Sequence, residues 1–261
     1  MDAKNNTDIQ PKHEQAEQRL RPFGIIDLVV VTTAMAVLFK LQSISRGGTE
    51  FPIPNWVMTP WLFFTATVMA MSLSAGYWFS IHYRQTGKLF RHPGHWMLGS
   101  SLIVWTGWLI NEICYLTVKQ LEPSLSESIE AVTMFGVAVT YLLGTILLVI
   151  STFSPRGRWS VPKAGLAVYL LVNCLQYAMI ATAMCGWYWL FEASNVIDSV
   201  GKIIALILAF CIATLIAVDF TKKVKRDWLH WIGIVEILIY LTFLPLFHFF
   251  LLRYLNSHLN S

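Results

Sequence analysis

One glutamate interrupts a long apolar segment near the end of the chain. Glu236 lies eight residues after Trp228, in a run that reaches Arg253, and Tyr240 follows it by one helical turn. If the run is a helix that crosses a bilayer, a rise of about 1.5 Å per residue places Glu236 about 12 Å inward. A carboxylate at that depth costs about 3 kcal/mol on insertion scales, so it is seldom left facing lipid. We therefore expect Glu236 to face the interior of a helix bundle.

Amide and phenol groups in an earlier apolar segment are expected at a similar depth. Asn173, Gln176 and Tyr177 are spaced so that they share one face of a helix. Asn173 lies about as far from the start of its segment as Glu236 does from the start of its own. We predict that these three residues, together with Glu236 and Tyr240, line a polar cavity, and that an interior amide is the hydrogen-bond partner of Glu236.

This constellation suits two kinds of protein. A carboxyl group that gains and loses a proton in a polar cavity suits proton-linked transport or binding of a small solute, and this is the favoured hypothesis. The same groups suit a non-catalytic scaffold or accessory subunit, in which their hydrogen bonds only hold helices together. The alternatives are distinguished by whether water reaches Glu236 or the interior around it is filled.

Four further residues are secondary candidates. Trp108 and Glu112 lie one turn apart on one helix face, with Glu112 near the outer rim, and Trp108 has a ring on which an apolar or cationic ligand could stack. Asp219 is close to Lys222 and Lys223, which predicts a salt bridge at the inner rim. His248 lies in the outer half of the last apolar run.

Histidines at one rim open a third hypothesis, that of a membrane redox, haem or metal protein. His82, His92, His95 and His230 all fall at the inner ends of apolar runs. The turn His92-Pro93-Gly94-His95 lacks the helical spacing of zinc enzymes, however, and the sequence contains no HExxH, GxSxG or CxxC motif. We therefore expect neither a metal ion nor another cofactor, and an enzyme is the less favoured class.

Composition indicates the fold class. The chain has 261 residues, of which 56% are hydrophobic and 13% charged, whereas a soluble domain carries about 25% charged residues. Several apolar runs have the roughly 20 residues that a bilayer requires. The sequence predicts an all-α, polytopic membrane helix bundle with seven transmembrane helices, at about 23–44, 59–81, 95–118, 129–153, 164–191, 200–220 and 228–253.

Lysine and arginine positions predict how the chain is threaded. Fourteen lie in the first 22 residues and in the loops after the second, fourth and sixth spans, against five on the other side. Because cationic loops remain in the cytoplasm, we expect a cytoplasmic N-terminus with a disordered tail at 1–22, and an outer C-terminus with a short tail at 254–261. We expect a cell membrane location, with lipid, a small solute and membrane subunits as partners rather than nucleic acid.

Overall fold

The computed structural model describes residues 23–46, 55–90, 92–121, 126–153 and 157–259. This part of the chain forms helices and connecting turns, without strands. The predicted tail at 1–22 and residues 260–261 lie outside it, and residues 254–259 continue the last helix. The seven helices in the described ranges are α1 (Ile25–Arg46), α2 (Asn55–Thr86), α3 (Pro93–Leu121), α4 (Ser126–Thr152), α5 (Ser160–Met184), α6 (Trp189–Thr221) and α7 (Trp228–Leu259).

Each of these helices contains a segment that is long and apolar enough to cross a membrane. Large apolar side chains such as Val132, Phe153 and Phe210 are exposed on the outside of the bundle. A soluble protein rarely exposes apolar surface on this scale, whereas lipid covers it in a membrane protein. The predicted polytopic helical architecture is thus confirmed at the level of seven apolar helices.

The boundary between the fifth and sixth helices differs from the prediction. The fifth span was expected to continue to residue 191, but α5 ends at Met184 and α6 already begins at Trp189. Gly186 has a φ of 107°, a left-handed conformation that stops a helix and that glycine adopts without strain. Glu192 then lies in the first turn of α6, where the helix dipole favours an acid. The interval 192–199, which the predicted spans leave between the fifth and sixth helices, is therefore helical.

The packing around Glu236 is centred on the last helix, α7. α7 lies against α2, α3 and α6, while α5 lies mainly between α4 and α6. Ile234, Ile237 and Leu241 of α7 are buried in the main apolar core. Glu236 on the same helix is fully buried, so its side chain is directed into the bundle.

Two glycines allow α3 and α7 to approach each other at backbone distance. A Cβ atom on Gly233 would clash with the carbonyl oxygen of Gly94, and a Cβ on Gly94 would clash with the carbonyl oxygen of His230. Small residues at such crossings are the usual means by which membrane helices pack closely. This contact fixes the first turns of α7 against the first turn of α3.

Candidate functional site

The carboxyl group of Glu236 is sealed inside the bundle. Its side chain has no exposed surface. Oε1 accepts a hydrogen bond of 2.7 Å from Oγ of Ser72 on α2, and Ser101 of α3 faces the same carboxyl group. Oε2 has no hydrogen-bond partner among the described residues, and none of the ion pairs found there involves Glu236. The group is buried, half-satisfied and without a counter-charge.

The prediction that an amide group is the hydrogen-bond partner of Glu236 is wrong. Nδ2 of Asn173 donates 2.8 Å to the carbonyl oxygen of Tyr169, one turn earlier in its own helix. Gln176 is half-buried on the same helix. The physical reason is the packing order, because α5 lies between α4 and α6 while Glu236 faces α2 and α3. The hydroxyl group of Ser72, and not an amide group, is therefore the hydrogen-bond donor to Glu236.

Tyrosines from three helices form a second polar group one turn further along α7. The hydroxyl oxygens of Tyr240 and Tyr141 are 3.0 Å apart, and the ring of Tyr141 stacks on Tyr177 with centroids 5.4 Å apart. Tyr169 meets Tyr240 edge-on at 5.9 Å. The structure thus brings Tyr177 and Tyr240 into one cluster with Tyr141 and Tyr169.

A small void separates this cluster from the helix that carries Ser72. It has a volume of about 20 Å³ and is bounded by Tyr240, Trp105, Thr65, Val68 and Phe243, among others. About 10–15 Å³ is enough to hold one water molecule. The void lies one turn from Ser72 along α2, but its lining surface is apolar, so it offers a water molecule no polar partner and supplies no water link between the carboxyl group and the tyrosine hydroxyls.

The histidines predicted at one rim lie close together, at the end of the bundle that carries the loops rich in lysine and arginine. We call this end the basic end. Oδ1 of Asp227 accepts 2.8 Å from the backbone N–H of His230, capping α7, and lies 2.9 Å from Nε2 of His95. Nε2 of His92 lies 3.7 Å from Oδ2 of Asp227, and the ring of His82 stands edge-on to His95 at 4.8 Å. The cluster ties α2, α3 and α7 together.

The electrostatics of Asp227 follow from these contacts. Burial alone would raise the pKa of this carboxyl group, but the hydrogen bond and charge of His95, the N–H of His230 and the charge of His92 outweigh burial and lower the pKa to about 2. One ligand atom from each of His82, His95 and Asp227 lies within 4.8 Å of the other two. Together these three residues offer nitrogen and oxygen donors that could hold a metal ion such as zinc.

Asp219 does form a salt bridge at the basic end, but not with the predicted lysines. The carboxylate is buried between Arg158 and Arg226, with Nε of Arg226 at 3.4 Å from Oδ2, and it accepts 3.2 Å from Nε1 of Trp159. Lys222 and Lys223 are exposed, because the chain turns there with a φ of 50° at Lys223. The prediction of Lys222 and Lys223 as partners is therefore wrong.

Two of the remaining candidates, Trp108 and Glu112, lie on α3. Trp108 packs against the main core and meets Trp105 edge-on at 6.2 Å. Glu112 is half-buried one turn further along α3. The side chain of His248 lies outside the described part of the structure.

Comparisons with protein-family models, with curated proteins and with solved structures gave no match to this chain. Two features of the molecule itself remain as the guides to its function. One is the sealed carboxyl group of Glu236 with its tyrosine neighbours, and the other is the cationic surface at the basic end.

Proposed function

We propose that this protein is a membrane transporter or binding protein that moves a small solute together with protons, and that Glu236 carries the proton. A sealed interior around Glu236 fits a scaffold as well. The observation that favours transport is that Oε2 of this fully buried carboxyl group has no hydrogen-bond partner among the described residues, although Ser72 donates to Oε1. Ionisable groups inside membrane spans commonly serve proton and ion pathways.

Ionisation of Glu236 would change how α7 packs. The carboxylate form can only accept hydrogen bonds, and Ser72 supplies a single bond of 2.7 Å. The protonated form is uncharged and offers a donor of its own, which suits a low-dielectric site far better. A change in protonation therefore alters the contacts of α7 with α2 and α3, and this is the coupling that a proton-linked transporter requires.

The tyrosine cluster supplies a continuation of the polar route. Tyr240 lies one turn beyond Glu236, and its hydroxyl group contacts that of Tyr141 at 3.0 Å. A hydroxyl group both donates and accepts, so this pair can relay a proton or bind polar groups of a solute. In the present conformation the site is closed, and passage of a solute requires α7 to move relative to its neighbours.

We further propose that the basic end faces the cytoplasm and that the protein lies in the cell membrane. Arg84, Lys88, Arg158, Lys222 and Lys225 are at this end, in agreement with the positive-inside tendency. Under this orientation Glu236 lies in the cytoplasmic half of the bilayer, and Tyr240 is one turn closer to its centre.

The proposal predicts a proton flux that depends on Glu236. Purified protein is reconstituted in liposomes containing a pH-sensitive dye, and pools of amino acids, sugars, organic acids and nucleosides are added under a pH gradient. We expect one pool to accelerate proton entry in the wild type and to have no effect with Glu236→Gln, because the amide cannot release a proton. Equal acceleration in the variant, or none with any pool in the wild type, contradicts the proposal.

A further inference from the structure

A cleft with three cationic residues in its lining opens at the basic end. Its volume is about 460 Å³, which falls within the usual size of small-molecule sites. Residues from the starts of three helices line it. They include Pro93, Gly157, Arg158, Ser160, Lys163 and Arg226.

The charges around the cleft are not balanced. Arg158, Lys163 and Arg226 contribute three positive charges, whereas Asp219 is shared by the two arginines and contributes one negative charge. Two positive charges are left over among the lining residues once Asp219 is counted, and the nearby carboxylate of Asp227 is paired with His92 and His95. An anion that enters it would meet cations on several sides, in a partly buried place where water screens them less than on an open surface.

Lys163 is the most informative of the cations. Only 7% of its surface is exposed, and its Nζ donates 2.7 Å to the carbonyl oxygen of Ser151. No acidic partner for Lys163 is found among the described residues. An ammonium group has three protons to donate, and a buried cation without a counter-charge is costly. An anionic ligand in the cleft would supply both the missing charge and further acceptors.

The helix termini add to the same field. α3 begins at Pro93 and α5 at Ser160, both at the cleft, and Arg226 shortly precedes α7. Trp159, at the N-cap position of α5, makes no side-chain capping bond. The N-terminal end of a helix carries a partial positive charge that favours phosphate and other anions. The start of α5 therefore acts in the same direction as the cationic side chains, whereas Asp227 already caps α7 and the N–H of Gly94 in α3 donates to Nδ1 of His230.

We propose that this cleft binds a phosphate group, carried either by a lipid headgroup or by free phosphate in solution. Basic pockets between membrane helices are the places where anionic headgroups bind. Exposed Val161 follows Ser160, and exposed Phe153 is close in sequence to the Ser151 carbonyl that Lys163 contacts. These apolar neighbours suit the acyl chains of a bound lipid. The inference is independent of proton transport and concerns a separate site.

The test measures binding rather than transport. Purified wild-type protein in detergent is titrated with phosphatidylglycerol, with phosphatidylcholine and with inorganic phosphate, and the thermal midpoint is followed. A rise of the thermal midpoint with phosphatidylglycerol but not with phosphatidylcholine assigns the site to a lipid headgroup. A rise with inorganic phosphate alone assigns it to the free ion. No rise with either anion overturns the proposal.

Variants identify the cleft as the binding place. Lys163→Gln should weaken the apparent affinity by about tenfold or more, since the variant loses a charge-assisted hydrogen bond to the anion. Lys222→Gln removes an exposed charge from the same end and should bind like the wild type. Lys163→Arg keeps the charge and should retain binding, which controls for a folding defect in the glutamine variant. An equal loss of affinity in Lys163→Gln and Lys222→Gln would mean that the anion is attracted to the surface as a whole. That result would overturn the proposed binding site in the cleft.

Discussion

Replacing Glu236 by methionine is expected to leave the thermal midpoint of the bundle unchanged or to raise it, while abolishing proton-linked transport. Oε2 of Glu236 has no partner among the described residues, and an unsatisfied buried polar atom costs about 1–3 kcal/mol. Methionine has a similar length and fills an irregular space without polar atoms. Ser72 stays satisfied, because its Oγ also bonds the carbonyl oxygen of Val68 at 3.0 Å.

This result separates the proposed transporter from a scaffold. If Glu236 served only to hold helices together, Glu236→Met would break that bond and lower the midpoint. When a group is kept for activity at the expense of stability, its removal leaves the thermal midpoint unchanged or raises it. The measurement is thermal unfolding of the purified variant in detergent, with Ser72→Ala as the matched variant that removes the hydroxyl partner and keeps the carboxyl group. A clear fall with Glu236→Met favours the scaffold.

Replacing Gly233 by alanine is expected to destabilise the bundle by about 3 kcal/mol or more, the upper range for overpacking a core. The new methyl group would meet the carbonyl oxygen of Gly94, and neither atom belongs to a flexible side chain. Relief requires α3 and α7 to separate. Because Asp227 of the α7 start contacts His95 of α3, that separation would also disturb the histidine cluster.

Gly76 provides the control for this substitution. A Cβ there would meet Cδ2 of Leu102 at 3.8 Å, an ordinary contact, and alanine is favoured over glycine in a helix by about 1 kcal/mol. Gly76→Ala should therefore match the wild type or exceed it in thermal midpoint. A similar midpoint for both alanine variants would show that α3 and α7 are not packed at backbone distance.

The architecture was largely predictable because apolar length is a local property of the sequence. Each of the seven expected spans corresponds to a helix, since twenty or more apolar residues form a recognisable run whatever they pack against. The exception shows the limit of this signal. The predicted spans left Glu192 between two helices, but it occupies the first turn of α6, where the helix dipole favours an acid.

The site was only partly predictable, because contacts between helices depend on their packing order. The cost of an acid in lipid was enough to predict that Glu236 faces inward. Its partner was not predictable, since Ser72 is one of several small hydroxyl residues in α2 and nothing in its spacing distinguishes it. Tyr141 was missed for a similar reason, as its role arises from its contact with Tyr240.

The basic end shows the same limit for charged residues. Sequence proximity favoured Lys222 and Lys223 as partners of Asp219, but the turn at Lys223 exposes both side chains. Arg158, from the start of another helix, and Arg226 take their place. Ion pairs between segments that are distant in sequence can be identified only once the helices are assembled.

The most direct test of the central claim is an infrared titration of the purified protein across a wide pH range. A protonated carboxyl group has a C=O stretching band that disappears when the group ionises. We expect the wild type to show such a band for a buried acid. The control variant Glu192→Gln, which alters an exposed glutamate, should retain the band. Glu236→Gln should lack it. Identical titration spectra for the wild type and Glu236→Gln would contradict a proton-carrying role for Glu236.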